Sequence, residues 1–132
     1  MRHAEARAEI ESRFAALWTA TPVAFENVAF EPPADGSAWV RLAVVSDGAE
    51  LASIGGPPRR WRCRGHVMVD LHVPAGGGSR AAFALADAAL DLFAGWPASD
   101  LVFQPGSPEP GGGRGEDYRV AVVVPYRHDD LR

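Results

Sequence analysis

Three titratable side chains stand out by their spacing: His66, Asp70 and His72. Even separations place side chains on one face of an extended strand. Imidazole with carboxylate is a donor set for a borderline divalent metal, and so for a small metal-dependent enzyme. Reach opposes that reading, because positions 66 and 70 lie about 13 Å apart along a strand and close on one ion only with help from other strands. The competing reading is a polar sheet face that meets solvent or a subunit. Cys63 is the single cysteine. A nucleophilic thiolate needs a cationic neighbour. Arg62 and Arg64 adjoin it in sequence, but neighbouring strand residues point to opposite faces, which favours a buried thiol packed among Val and Leu. Ser53 has Leu51 where a Gly-x-Ser-x-Gly elbow needs its first glycine. The runs Gly76 to Gly78 and Gly111 to Gly113 lack the Lys-Ser or Lys-Thr of a phosphate loop. The first run precedes a helix start, where free amides can hold an anion, although a flexible turn explains it more simply. His128, Asp129 and Asp130 fall among the last five residues, where disorder is the expectation.

Arg59, Arg60, Arg62 and Arg64 surround Trp61. Guanidinium and indole suit phosphates and bases, and equally anchor protein interfaces. The formal charge of −4 favours the interface. All 13 Lys+Arg positions are Arg, which removes Schiff-base and phosphate-loop lysine chemistry. One cysteine cannot form an internal bridge or a cysteine zinc site, as fits a reducing compartment. Met1 to Ile10 carries no apolar leader, and no run reaches the roughly 18 apolar residues of a membrane span. With 132 residues, 47% of them apolar, the chain is expected to be one soluble domain, residues 1–132.

The elements that must position these residues follow from periodicity. Ala6, Ile10, Phe14, Leu17 and Trp18 share one helical face within Ala4 to Trp18, with Glu9 and Arg13 as an outward i, i+4 pair. Val23 to Phe30 can hold a short strand. Ala38 to Ser46 alternates as a strand with Val40, Leu42 and Val44 on one face. Arg60 to Val73 alternates most strictly: Trp61, Cys63, Val67, Val69, Leu71 and Val73 face one way, and Arg62, Arg64, His66, Met68, Asp70 and His72 the other. At 14 residues it outruns a typical strand of about 5–6. Together with the punctuated connection from Asp47 to Arg60, it reads as an arm too apolar at Leu51 and Ile54 to hang freely in water. Ser79 is placed to cap an alanine-rich helix closed by Gly95. Leu101 to Phe103 is a short strand, Gln104 to Asp117 a mobile connection, and Tyr118 to Tyr126 a final strand. The expected class is α+β: a mainly antiparallel or mixed sheet of four to five strands, two helices packed on one face, and an extended hairpin arm.

Several stretches carry a family resemblance. Trp18-Thr-Ala-Thr-Pro22, Val23-Ala-Phe-Glu-Asn27, Phe30 with Pro32-Pro33, and Gly36 ahead of Trp39-Val-Arg-Leu42 resemble the tail terminator-like proteins of long-tailed phages, prophages and gene transfer agents. Val69 to Pro74, the alanine-rich helix after glycines, and Val122 to Tyr126 are similar as well. The resemblance implies a structural virion protein at the tail–head junction, assembled in the host cytoplasm, with no catalysis and no cofactor. It implies a ring of identical subunits, typically hexameric, that caps the tail tube, halts its polymerisation and meets the head connector. A head–tail connector or neck protein is the neighbouring alternative. The implied partners are further copies of the chain, the tube protein and the connector, with no membrane and DNA at most passing through the lumen. The tube-facing segment carries over to Asp47 to Trp61. The expected partner-binding residues are therefore Asp47, Gly48, Leu51, Ile54, Arg59, Arg60, Trp61, Arg62 and Arg64. The Gln104 to Asp117 stretch is longer and richer in proline and glycine than the family pattern.

Overall fold

The computed structural model describes residues 1–114 and 117–132. In chain order the elements are α1 (His3–Leu17), β1 (Val23–Ala24), β2 (Trp39–Leu51), β3 (Arg60–Pro74), α2 (Arg80–Ala94), β4 (Val102–Phe103), β5 (Ser107–Arg114) and β6 (Asp117–Leu131). The α+β class holds. The sheet has six strands in the order β1-β2-β3-β6-β4, and β5 also pairs with β6. Only β1 runs parallel to its neighbour among these pairings.

The centre of the sheet is one long ladder. β3 and β6 pair from Arg60↔Leu131 to Pro74↔Asp117, and β2 pairs with the other edge of β3 from Trp39↔His72 to Leu51↔Trp61. Alternation decides which side is buried, because successive side chains of a strand leave opposite faces. Val40, Leu42 and Val44, then Val67, Val69 and Leu71, then Val120, Val122 and Val124 are all buried. They join one hydrophobic cluster with Ala6, Ile10 and Phe14 of α1 and with Ala82, Ala86, Ala89 and Phe93 of α2. Phe14 stacks on Phe93 at a centroid distance of 6.1 Å, linking the two helices. Alanine along the buried side of α2 lets its backbone come close to its neighbours, and Phe93 fills the end of the stripe.

The helix ends have local causes. The Arg2 backbone N–H donates to the Glu5 carboxylate at 3.2 Å at the start of α1. At its end the Trp18 N–H donates to the Phe14 carbonyl at 2.8 Å, before Thr21-Pro22 forbids further turns. Leu17, expected in the core, is half exposed. Glu9, expected to point away, accepts from the Trp96 indole at 3.0 Å and from the Ser99 hydroxyl at 2.8 Å, so it ties α1 to the segment after α2. Ser79 stands at the N-cap of α2 without a side-chain capping bond.

Two stretches expected to be loose are strands. The Gln104 to Asp117 connection contains β5, whose residues Ser107 to Pro110 pair with Val123 to Val120 of β6. Proline lacks an N–H and is tolerated on an edge, where one side of the backbone has no partner to serve. The register slips between Pro110 and Gly112, a bulge at Gly111. Residues 115–116 of that expected connection lie outside the described residues. The chain's last residues are likewise ordered, because β6 runs to Leu131 and buries His128 and Asp130 to 2% exposure. Pairing along the whole of β3 supplies the partners that a free terminus lacks.

Candidate functional site

The arm begins where β2 breaks register. Between Ser46 and Gly48 one residue of β2, Asp47, has no partner on β3. Such a bulge bends the strand and raises its twist. Gly48 takes φ +140°, a conformation that side chains rarely adopt. The Asp47 carboxylate meets His66 Nδ1 at 2.8 Å, which fixes the bend. Beyond it, Gly48, Ala49, Glu50 and Leu51 pair with Arg64, Cys63, Arg62 and Trp61. The arm is thus the continuation of β2 and β3, not a long loop between them.

Its tip is fastened by backbone and side-chain bonds. The Ala52 N–H donates to the Arg60 carbonyl, and the Arg60 N–H to the Ser53 hydroxyl, both at 2.8 Å. Arg59 and Arg132 exchange N–H···O bonds of 2.9 Å in both directions, so the chain end runs alongside the arm as far as its tip. Two apolar side chains remain uncovered, Leu51 at 47% and Ile54 at 104% exposure.

The arginine cluster is largely neutralised within the chain. Arg64 donates to the Glu50 carboxylate at 2.8 Å. Arg62 donates to Asp129 at 3.0 Å, and Arg60 lies 3.8 Å from the same carboxylate. Hydrogen bonds from Arg64 and Arg62 hold the Glu50 and Asp129 carboxyls below their ordinary range. Arg132 stands over the Trp61 ring at 5.4 Å. A hollow of about 250 Å³ lies between the bulge and the Arg62 and Arg64 side chains. A surface whose cations already face carboxylates offers little to a phosphate backbone.

His66, Asp70 and His72 do not converge. His66 is engaged with Asp47, and His72 stacks on Trp39 at 3.9 Å while its Nδ1 meets Asp117 at 2.8 Å. Cys63 is buried, as the alternation implied, and burial is the main cause that pushes its thiol up. It lies beside two other histidines: one ligand atom each of His3, Cys63 and His128 falls within 4.8 Å of the others. Nothing in local spacing announces this group, since its members come from α1, β3 and β6 and meet only through the sheet register and the first turn of α1. Burial also pushes His128 down from the ordinary histidine value.

A family model described as phage tail terminator protein matches residues 5–126. No curated protein matches the chain. One solved structure superposes with a TM-score of 0.65 at 28% identity, over 100% of this chain and 96% of its own.

Proposed function

Because the chain belongs to the phage tail terminator family, whose members are structural virion proteins and not enzymes, we propose that it forms a ring that caps the tail tube and stops its growth. Residues 1–132 act in this reading as one domain, six copies close the ring, and DNA passes through the lumen. The ring assembles in the cytoplasm of the host and stays at the tail–head junction. One side of it meets the last ring of the tube, and the other meets the head connector.

The observation that supports this reading most directly is the arm. It is held by β2, β3 and β6, its Arg60, Arg62 and Arg64 face carboxylates, and it leaves Leu51 and Ile54 in water. Covering a fully exposed Ile is worth about 1.5–3 kcal/mol before ordering costs, and covering the half-exposed Leu51 is worth less. Modest contacts of this size, repeated around a ring and presented together, hold a tube end that one subunit alone would release. Asp47 and Gly48 set the bend that aims the arm. Arg59, Arg60, Arg62 and Arg64 with Trp61 form its polar flank. Recognition is by shape, and no bond is made or broken.

The test is the double variant Leu51→Asp with Ile54→Asp in a phage-like particle that depends on this chain. Both side chains are exposed, so the fold and native mass are expected to match the wild type, while electron microscopy shows overlong tails. Tails of normal length joined to heads would overturn the role of the arm. Free tails of normal length would assign the chain to the connector side instead.

A further inference from the structure

The start of α1 and the roots of β3 and β6 bring His3, Cys63 and His128 together, and the geometry points to a metal site: we propose that these three side chains bind one zinc ion. The Cys63 Sγ lies 4.0 Å from His3 Nε2, and one ligand atom from each of the three residues falls within 4.8 Å of the others. Zinc takes thiolate sulfur at about 2.3 Å and imidazole nitrogen at about 2.0–2.1 Å, so tetrahedral ligand atoms stand roughly 3.3–3.6 Å apart. The three atoms must therefore close by about 1 Å. His3 is exposed on the first turn of α1, so its side chain has the freedom to supply that movement.

His128 is the second, independent sign. Its Nδ1 lies 3.1 Å from the Met1 carbonyl oxygen. A carbonyl can only accept, so Nδ1 carries the proton and donates. In the neutral ring this leaves the lone pair on Nε2, which is buried and has no hydrogen-bond partner among the described residues. The arrangement is the one metal-bound histidines use: one nitrogen donates to a backbone carbonyl and orients the ring, the other ligates. An unpartnered buried acceptor in a side chain 2% exposed, beside a buried thiol, is costly without an ion and satisfied with one.

Charge is compatible with a divalent cation. On binding, Cys63 gives up its proton to solvent and ligates as thiolate. Asp130 supplies a further negative charge that bears on Cys63, and its own carboxylate is bridged to Arg2 and Arg132 at 3.5 and 3.4 Å. The Met1 ammonium is occupied with the Asp129 carbonyl at 2.9 Å. The fourth position of the ion is left to water. The set is one sulfur and two nitrogens, which suits zinc better than magnesium or calcium. Since Cys63 pairs with Ala49 of the arm, the ion would pin the root of the arm to α1 and to the chain end.

The experiment uses the purified full chain, stripped with a chelator and titrated with zinc, and in parallel with cobalt(II). The expected result is one equivalent bound, a cobalt–thiolate charge-transfer band with tetrahedral visible bands, and a higher melting temperature that chelator reverses. His3→Ala removes an exposed ligand without touching the core and is expected to weaken zinc on the order of 100-fold, at the upper end of what an outer-shell partner costs. Cys63→Ser is expected to abolish the charge-transfer band, while His66→Ala, outside the site, leaves affinity unchanged. Absence of stoichiometric zinc in the wild type overturns the proposal. So does equal affinity in wild type and His3→Ala, or an equal loss in His66→Ala.

Discussion

Gly65 is where a single hydrogen decides the packing. It stands opposite Tyr126 across the β3–β6 ladder, and a Cβ at Gly65 would lie 2.5 Å from the Tyr126 hydroxyl oxygen and 2.6 Å from its ring, against the Val45 carbonyl as well. Neither the strand backbone nor a ring 6% exposed can yield cheaply. Gly65→Ala is therefore expected to destabilise by about 1–3 kcal/mol, the usual cost of overpacking, measured as a lower urea midpoint at unchanged slope. A midpoint within error of the wild type would show that Tyr126 swings aside freely. Here the sequence was legible in part. Alternation placed Cys63 and Val67 on the buried face, but a lone glycine in a strand does not say which aromatic fills the space above it. His3 and His128 were invisible for a related reason: a site made of side chains 60 or more positions apart exists only after register is known.

Register is a property of elements, and the long strands were read better than the short or proline-rich ones. β3 and the start of β2 follow period-two alternation, which survives any context because one face is buried. β5 has Pro108, Pro110 and three glycines, the composition of a loop, and is a strand only because β6 offers it an edge. The β3–β6 ladder holds the far end of β6, where closeness to the chain end signalled disorder and pairing with β3 prevents it. At the opposite end of the ladder His72 and Asp117 meet at 2.8 Å, and the hydrogen bond from His72 is the main cause that lowers the Asp117 carboxyl below its ordinary value. A carboxyl whose folded value is lowered stabilises the fold above its unfolded pKa of about 3.9, and that stability is lost as pH falls through the folded value. Asp117→Asn should therefore be less stable than the wild type at neutral pH, and the difference should shrink as pH drops below about 4. A difference that stays constant from neutral to acid pH would mean the carboxylate charge contributes nothing to this end of the ladder.

At the scale of the whole molecule, the unexplained surface is the second face of the central strands. Ala43, Met68 and Val123 lie in register across β2, β3 and β6, and Val45, His66 and Pro125 form the next row. The strict alternation of β3 suggested a polar face there, yet polar groups are confined to parts of it: Arg41 and Asp70 in one neighbouring row, His66 in the other. The middle row, Ala43, Met68 and Val123, is apolar and partly exposed, and Val45 in the row beside it is 37% exposed. A closed ring needs a patch on each subunit that meets a different patch on the next, and a partly exposed apolar strip across three strands fits one side of such a contact. Val123→Arg places a charge in that strip without touching the buried face, because position 123 and the core positions 122 and 124 leave opposite sides of the strand. The variant is expected to keep the wild-type circular dichroism and melting behaviour and to run at the mass of a single 14.1 kDa chain, while the wild type runs at a multiple of it. Identical native masses for the two proteins would remove this face from the proposed ring contact, and a wild type that stays monomeric even on isolated tails would remove the ring itself.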